Sequence, residues 1–241
     1  MILLRSIIYF TYLVLNTILI ATLGSLLIWA LPGNSKHIID HTWSRINLWG
    51  LRVFCGLSVR VEGTENIPKE SCLVLAKHQS AWETLALISL IPGPKSWVMK
   101  RELLNVPFLG WMIKAFKPIA INRKSGRKAI DQIIEQGTDR LNQGKKVFIF
   151  PEGTRVAPGE KKRYAIGGAM LAEKSGYPIL PVALNSGVFW RRRDIRKYPG
   201  IVDVRIGPLI QSQGRKASDL NQEVEHWIET TVSELPDGRQ K

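Results

Sequence analysis

The chain changes from strand to helix across the heptapeptide Lys77-His78-Gln79-Ser80-Ala81-Trp82-Glu83. The short apolar run at residues 72–76 predicts a buried strand before it, and residues 84–90 predict a helix that covers this strand. His78 is therefore expected where a strand ends, at the edge where open α/β sheets bind their ligands. A carboxylate five residues later, Glu83, could orient the imidazole and make His78 a general base.

The same heptapeptide also fits a purely structural interpretation. Ser80-Ala81-Trp82-Glu83 matches the Ser-x-x-Glu capping box, in which Glu83 would only accept a hydrogen bond from a backbone amide at the helix start. His78 would then be a capping or core histidine. The heptapeptide alone leaves both interpretations open.

The composition predicts an anionic partner. There are 34 Lys and Arg against 20 Asp and Glu, a formal net charge of +14, which suits nucleic acid, an anionic membrane face or a phosphorylated small molecule. Cys55 and Cys72 fit neither a disulfide framework nor metal-ligand spacing. His37 and His41 are four residues apart but lack an evident acidic third ligand, so we expect no metal site.

The N-terminal segment is long and apolar. Residues 7–31 form a near-continuous apolar run, which as a helix would span roughly 37 Å and so exceed a hydrocarbon core of about 30 Å. The run is too long for a typical signal peptide, so we expect a membrane helix, either crossing the membrane or lying re-entrant or along its surface. Positive charge is richer after the run, which places the folded part on the cytoplasmic side.

Downstream of the apolar run, the sequence divides into a connecting helix and a folded domain. Residues 35–56 predict an amphipathic helix that could lie at the membrane interface, in the core, or both in succession. From residue 57, strands alternate with helices; strands are expected at 58–62, 72–76, 96–100, 118–122, 147–150, 178–184 and 202–206, and helices at 125–142, 167–175 and 219–235. This alternation predicts an α/β fold with a mixed, mostly parallel sheet flanked by helices. The expected regions are a membrane anchor at 1–34, the connecting helix at 35–56 and a folded domain at 57–241.

Two further predicted strands end in polar residues. Pro151-Glu152-Gly153-Thr154-Arg155 follows a buried strand, where glycine permits close backbone approach and arginine offers a planar fork for phosphate. Arg123 follows another strand and precedes a helix N-terminus, which is itself an anion site. Each could also be an ordinary solvated loop. If the sheet is parallel here, these residues share one edge with His78.

The densest basic run lies near the C-terminal third of the chain, at residues 190–197 with the sequence WRRRDIRK. It could be a membrane-surface patch, a site for donor phosphates, or a solvated loop with a tryptophan at its edge. A nucleic-acid surface is disfavoured, because no helix-turn-helix, zinc or RNA-sheet signature is evident and the apolar N-terminus fits such a protein poorly.

Four motifs in a fixed order carry a family resemblance. They are His78-Gln79-Ser80-Ala81-Trp82-Glu83, Ile121-Asn122-Arg123, Phe150-Pro151-Glu152-Gly153-Thr154-Arg155 and Leu180-Pro181-Val182, with Lys100-Arg101-Glu102-Leu103 between the first two. From residue 57 to residue 184 the chain resembles the lysophosphatidic acid acyltransferases, the 1-acyl-glycerol-3-phosphate acyltransferases. Residues 57–241 would then be a glycerolipid acyltransferase domain.

The resemblance implies a role for each matching residue. His78 would be the general base and Glu83 its partner, while the glycerol phosphate would be bound by Lys100, Arg123, Glu152, Gly153, Thr154 and Arg155. The family usually has Asp where Glu83 stands, and often a basic residue where this chain has Ala165. These departures put the pair's geometry and the substrate choice in doubt, and leave the reaction class unaffected.

The implied reaction is direct acyl transfer in phospholipid biosynthesis. His78 would take the proton from the free hydroxyl of lysophosphatidate, and the oxygen would attack an acyl thioester, either acyl-CoA or an acyl-carrier protein. No cofactor, metal or nucleic acid is expected, and backbone amides near Gly153 are candidate donors to the oxyanion. The enzyme would sit on the inner membrane and face the cytoplasm. Another lyso-lipid, such as a lyso-aminolipid or lysophospholipid, is the alternative substrate.

Overall fold

The computed structural model describes residues 1–27, 37–105, 110, 113–114, 116–122 and 125–236. The described strands are β1 Leu57–Glu62, β2 Leu73–Ala76, β3 Lys95–Lys100, β4 Ile119–Ile121, β5 Lys146–Ile149, β6 Ile179–Leu184 and β7 Gly200–Ile206. The described α-helices of four residues or more are α1 Ile2–Leu27, α2 His37–Cys55, α3 Trp82–Leu90, α4 Arg127–Asn142, α5 Gly167–Ser175, α6 Ser186–Phe189 and α7 Ala217–Glu234. The four-residue α6 was not predicted from the sequence.

The strands form one mixed sheet in the order β1-β7-β6-β2-β5-β3-β4. The five strands from β6 to β4 run parallel to one another, β7 is antiparallel to β6, and β1 is parallel to β7. The predicted α/β fold with a mostly parallel sheet is therefore confirmed. Parallel strands need long crossover connections, which explains why helices separate them along the chain.

Helices cover both faces of the sheet, so its central strands are buried on both sides. In β2, Val74 and Ala76 point into one core with side chains from α1, α2 and α3. Leu73 and Leu75 point into the other core with side chains from α4, α5 and α7. Burial on both faces is why these strands read as continuous apolar runs rather than alternating ones.

The N-terminal helices form an antiparallel pair. Arg5 Nε donates to the Phe54 carbonyl at 2.5 Å near one end of the pair, and Trp43 Nε1 donates to Thr17 Oγ1 at 3.0 Å further along. The helix α2 then packs on α3, where Ser44 Oγ donates to the Leu85 carbonyl at 2.7 Å. One face of α2 is therefore part of the core, whereas a position of this helix at the membrane interface stays a prediction.

The outer face of this helix pair is apolar and exposed. By length and composition α1 can cross a membrane, and only 22% of its most apolar window is buried inside the protein. The exposed apolar residues of the pair include Leu3, Leu4, Ile7, Ile8, Phe10, Leu15, Ile18, Leu19 and Leu23 on α1, and Ile38, Ile46, Trp49 and Val53 on α2. A soluble protein seldom exposes so continuous an apolar surface, so α1 indicates membrane association.

Candidate active site

Three neighbouring strands carry the described site residues to one edge of the sheet. His78 follows β2, Glu152 to Arg155 follow β5, and Lys100 is the last residue of β3. Because these strands are parallel and adjacent, their carboxyl ends lie side by side, as expected from the sequence. Arg123 follows β4 but lies outside the described residues.

His78 and Glu83 are in direct contact. The imidazole Nδ1 lies 3.0 Å from Glu83 Oε1, and the ring stacks on Phe150 with centroids 4.0 Å apart and planes within 10°. Since a carboxylate only accepts, Nδ1 carries the proton in this contact, and in the neutral imidazole Nε2 is then the nitrogen with a free lone pair. The histidine side chain is 13% exposed whereas that of Glu83 is fully buried. The pair therefore presents one basic nitrogen in a largely enclosed setting.

Glu83 is also held by the start of the helix. Its Oε1 accepts from the amides of Gln79 at 2.5 Å and Ser80 at 2.7 Å, and its Oε2 accepts from the hydroxyls of Ser80 at 2.9 Å and Ser186 at 2.7 Å. Burial alone would raise the pKa of Glu83, but the contact with His78 and the hydrogen bonds from Ser80 and Ser186 together lower it. The capping-box contact and the contact with His78 thus coexist, on an ionised carboxylate.

Ser186 is a site residue that the sequence did not indicate. It begins α6, directly after β6, and its distance of 103 residues from Glu83 leaves no local pattern. The next residue, Gly187, donates its amide to Gln79 Oε1 at 3.0 Å. A Cβ at Gly187 would lie 2.8 Å from the Gln79 Cβ, so a larger residue would push α6 away from the heptapeptide.

Glu152 faces the interior and supports the histidine backbone. Its Oε1 lies 2.8 Å from Lys77 Nζ, and its Oε2 accepts from the His78 amide at 2.6 Å. Lys77 is 1% exposed and also pairs with Glu229 of α7 at 2.6 Å, which in turn accepts from the Tyr164 hydroxyl at 2.8 Å. Burial raises the pKa of Glu152 against the opposing effect of Lys77. A contact between Glu152 and substrate remains a prediction, whereas its contact with the heptapeptide is observed.

The loop after β5 runs beside His78. The amide of Val156 donates to the His78 carbonyl at 2.8 Å, so Thr154 and Arg155, both half-buried, lie next to the heptapeptide in the chain trace. Gly153 has φ +67° and no atom within 4 Å of its virtual Cβ, a left-handed turn that favours glycine. Its amide donates to the Phe150 carbonyl at 3.0 Å, so in this conformation that amide is not the expected oxyanion donor.

A family model described as Acyltransferase matches residues 58–185, more than half of the chain. The 1-acyl-sn-glycerol-3-phosphate acyltransferase of Pseudomonas aeruginosa is 39% identical over 96% of this chain and 91% of its own length. The chain belongs to the acyltransferase family. The family resemblance expected from the four motifs is thereby confirmed.

Two further matches are less similar to this chain. The 1-acyl-sn-glycerol-3-phosphate acyltransferase alpha of Homo sapiens is 30% identical over 81% of this chain and 71% of its own length. Among solved structures, the 1-acyl-sn-glycerophosphate acyltransferase of Thermotoga maritima has a TM-score of 0.83 over 100% of this chain and 98% of its own, at 22% identity. That likeness shows a shared fold.

The described part of this acyltransferase contains no metal centre. Within those residues no group of three or more His, Cys, Asp or Glu side chains could hold a metal ion. Cys72 lies fully buried in the apolar core beside β2, and burial raises the pKa of its thiol to about 12. A thiol with that pKa is a poor nucleophile at neutral pH, so Cys72 is a packing residue.

Proposed function

We propose that this acyltransferase moves a fatty acyl group from an acyl thioester to the free hydroxyl of lysophosphatidate, which gives phosphatidate. The relatives from Pseudomonas and from human both carry the name 1-acyl-sn-glycerol-3-phosphate acyltransferase. The observation that carries the proposal is the His78–Glu83 contact at 3.0 Å, placed at the sheet edge that also bears Lys100 and Arg155.

In the proposed reaction His78 is the general base. Nε2 removes the proton of the lyso-lipid hydroxyl as its oxygen attacks the thioester carbonyl carbon. Collapse of the tetrahedral intermediate breaks the C–S bond, and the imidazolium returns its proton to the departing thiolate. Glu83 holds the proton-bearing Nδ1 and stabilises the imidazolium, so no serine or cysteine nucleophile is required. Base catalysis of this kind contributes roughly 10²- to 10⁴-fold, and positioning of the two substrates adds to it.

The phosphate is proposed to bind along the neighbouring strand ends. Lys100, the last residue of β3, is exposed and pairs with Ile121 of β4. Arg155 lies in the loop that contacts the His78 carbonyl. Arg123, Gly153 and Thr154 complete the proposed set. A dianionic headgroup is suited to such a set, because arginine and lysine hydrogen bonds to phosphate are charge-assisted.

We propose that the exposed face of α1 contacts the membrane lipid. Lysophosphatidate is amphiphilic, so an enzyme that takes it directly from a bilayer needs its active site near the lipid. The α1–α2 pair supports this placement, because it presents an exposed apolar surface and packs directly on α3, the helix that begins with Trp82 next to Glu83. The proposed location is the inner membrane, with residues 57–241 on the cytoplasmic side.

One assay tests this function. The purified protein is given a panel of lyso-lipids with acyl-CoA or with acylated acyl-carrier protein, and each product is identified by mass. The proposal expects phosphatidate from lysophosphatidate at a rate at least tenfold above that of any other lyso-lipid. A faster rate with a lyso-aminolipid or a zwitterionic lysophospholipid would replace the proposed substrate. Absence of transfer from both donors would overturn the reaction.

A further inference from the structure

The basic run at residues 190–197, here called the basic loop, is anchored to the start of α1. Lys197 is buried, and its Nζ lies 4.5 Å from the ring centroid of Trp190 and 5.8 Å from that of Phe10. The Lys197 amide donates to Ser6 Oγ at 2.8 Å, and Tyr9 meets Trp190 edge to face at 6.0 Å. The loop is therefore fixed against the helix that exposes the apolar surface.

The remaining cations of the basic loop face outward. Arg191, Arg192, Arg193 and Arg196 are exposed, and the loop contains one carboxylate, Asp194, which pairs with Arg196 at 3.0 Å. Between them Ile195 is 44% exposed, although it is apolar. Arginines around an exposed isoleucine, beside an apolar helix face, combine the two chemistries that an anionic lipid surface offers.

The basic loop also contacts the loop that carries Arg155. Arg192 Nη1 donates to the Arg155 carbonyl at 3.0 Å, and the amide of the following Val156 donates to the His78 carbonyl at 2.8 Å. Arg192 therefore connects the basic loop to the segment that contacts the histidine backbone. A surface that binds them would lie at the same side of the molecule as the proposed site.

We propose that the basic loop is a docking surface for anionic phospholipid headgroups, which sets the orientation of the enzyme on the bilayer. The α1 face would supply apolar attachment to any bilayer, while Arg191, Arg193 and Arg196 would select an anionic one. An acidic carrier protein could also meet these arginines. The exposed Ile195 and the direct junction with α1 favour the lipid surface, because both continue an apolar face rather than a charged one. The inference rests on the proposed membrane placement of α1 and does not depend on the identity of the lyso-lipid.

A competition between two vesicle populations isolates the headgroup preference. Full-length protein is mixed with neutral phosphatidylcholine vesicles and with vesicles that contain 30 mol% phosphatidylglycerol, about the anionic content that gives a substantial surface potential, and the two are separated after equilibration. Both populations offer the same hydrocarbon, so attachment through α1 is equal for both. It therefore cancels in the ratio of protein bound to anionic vesicles to protein bound to neutral vesicles. The test variant is Arg191→Gln/Arg193→Gln/Arg196→Gln, which keeps Arg192. The matched control is Lys69→Gln/Lys174→Gln/Lys216→Gln, three exposed lysines near the opposite edge of the sheet.

The wild type and the lysine variant should favour the anionic vesicles by about tenfold or more, and the arginine variant by about twofold or less. The wild-type preference should fall as salt is added, because salt screens exposed charges. Equal preference in the arginine variant and the wild type would overturn the inference, as would a wild type with no preference. If the variant kept its lipid preference but lost activity only with acyl-carrier protein, the loop would belong to the donor instead. A protein that binds neither population would instead contradict the placement of α1.

Discussion

The most informative residue is Glu83, because its carboxylate makes five contacts. It accepts from the backbone and hydroxyl groups of the heptapeptide and of Ser186, and it contacts the His78 ring. The family usually has an aspartate at this position, and the longer side chain still reaches Nδ1 at 3.0 Å. Its structural and proposed catalytic roles can be separated by substitution, because only one of the five contacts is to the imidazole.

The substitution Glu83→Gln should lower kcat by about 10- to 100-fold, since a neutral amide stabilises the imidazolium less and no longer fixes the tautomer. The matched control is Ser80→Ala, which removes a capping hydroxyl and leaves the His78 contact in place. Its kcat should stay within about threefold of wild type, with a loss of about 1 kcal/mol in stability. Steady-state kinetics and thermal melts measure both. Equal kcat values for Glu83→Gln and the wild type would leave only the capping role.

The stability provided by Glu83 should depend on pH in one direction. Its pKa in the folded protein is lowered from the ordinary value of 4.5, so the stabilisation is fully present above that value and is lost as pH falls through the lower folded pKa. In thermal melts from pH 3 to pH 7, the difference in melting temperature between the wild type and Glu83→Gln should therefore become smaller as the pH falls. A difference in melting temperature that grows as the pH falls would mean that folding disfavours the ionised form of Glu83.

At this scale the sequence predicted the contact between His78 and Glu83, because both lie within one local strand-to-helix turn. It did not indicate Ser186, which reaches Glu83 only because β6 lies next to β2 in the sheet. The family resemblance assigned Glu152 to the substrate, which stays a prediction, and it did not indicate the observed contacts of that carboxylate with Lys77 and the His78 amide. A motif predicts which residues belong to the site, but it does not predict the direction of each side chain.

At the scale of elements, α7 is tied to the heptapeptide through a buried ion network. Lys77 is the sole basic member among the described contacts of this network and lies between Glu152 and Glu229. The connection between β2 and α7 spans 152 residues, so no sequence pattern could show it. The described helices and strands, apart from the short α6, were predicted, because their periodicity is local. The order of the strands and the antiparallel β7 were not, because they depend on contacts distant in sequence.

The substitution Lys77→Met should destabilise the protein by about 3–5 kcal/mol, because it leaves two buried carboxylates without their cation. Glu229→Gln should cost less, since Lys77 keeps Glu152 as its partner. Adding Glu229→Gln to Lys77→Met should recover part of the loss. Denaturant unfolding of the three variants forms a double-mutant cycle. If Lys77→Met alone were as stable as the wild type, the network would not support the heptapeptide. Should that variant fail to fold, the stability of Glu229→Gln relative to the wild type still tests the network.

At the scale of the whole molecule, the apolar and the basic surfaces lie together. The basic loop contacts the start of α1 through Lys197 and Ser6, and it contacts the loop after β5 through Arg192 and Arg155. Composition predicted an anionic partner and an apolar anchor separately. Their junction could not be predicted, because it depends on how the turn at Lys197 meets Ser6, 191 residues earlier in the chain.

Attachment to a membrane through α1 should be sensitive to single faces of the helix. The variant Leu15→Ser/Leu19→Ser changes two side chains that are 63% and 57% exposed, so the fold should survive. Each substitution removes a whole apolar side chain from lipid, so binding to neutral vesicles should weaken by about tenfold or more in a lipid titration. The control Leu15→Ile/Leu19→Ile keeps the apolar surface and should bind as the wild type does. Undiminished binding of the serine variant would show that this face is outside the lipid.

The central claim is that one imidazole removes the proton from the acyl acceptor. The direct measurement is kcat of His78→Ala with lysophosphatidate and each acyl donor, together with a thermal melt to show that the variant is folded. We expect a fall of about 10²- to 10⁴-fold with a melting temperature close to that of the wild type, because His78 is proposed to act in proton transfer. A folded His78→Ala variant that turns over within threefold of the wild type would contradict the account.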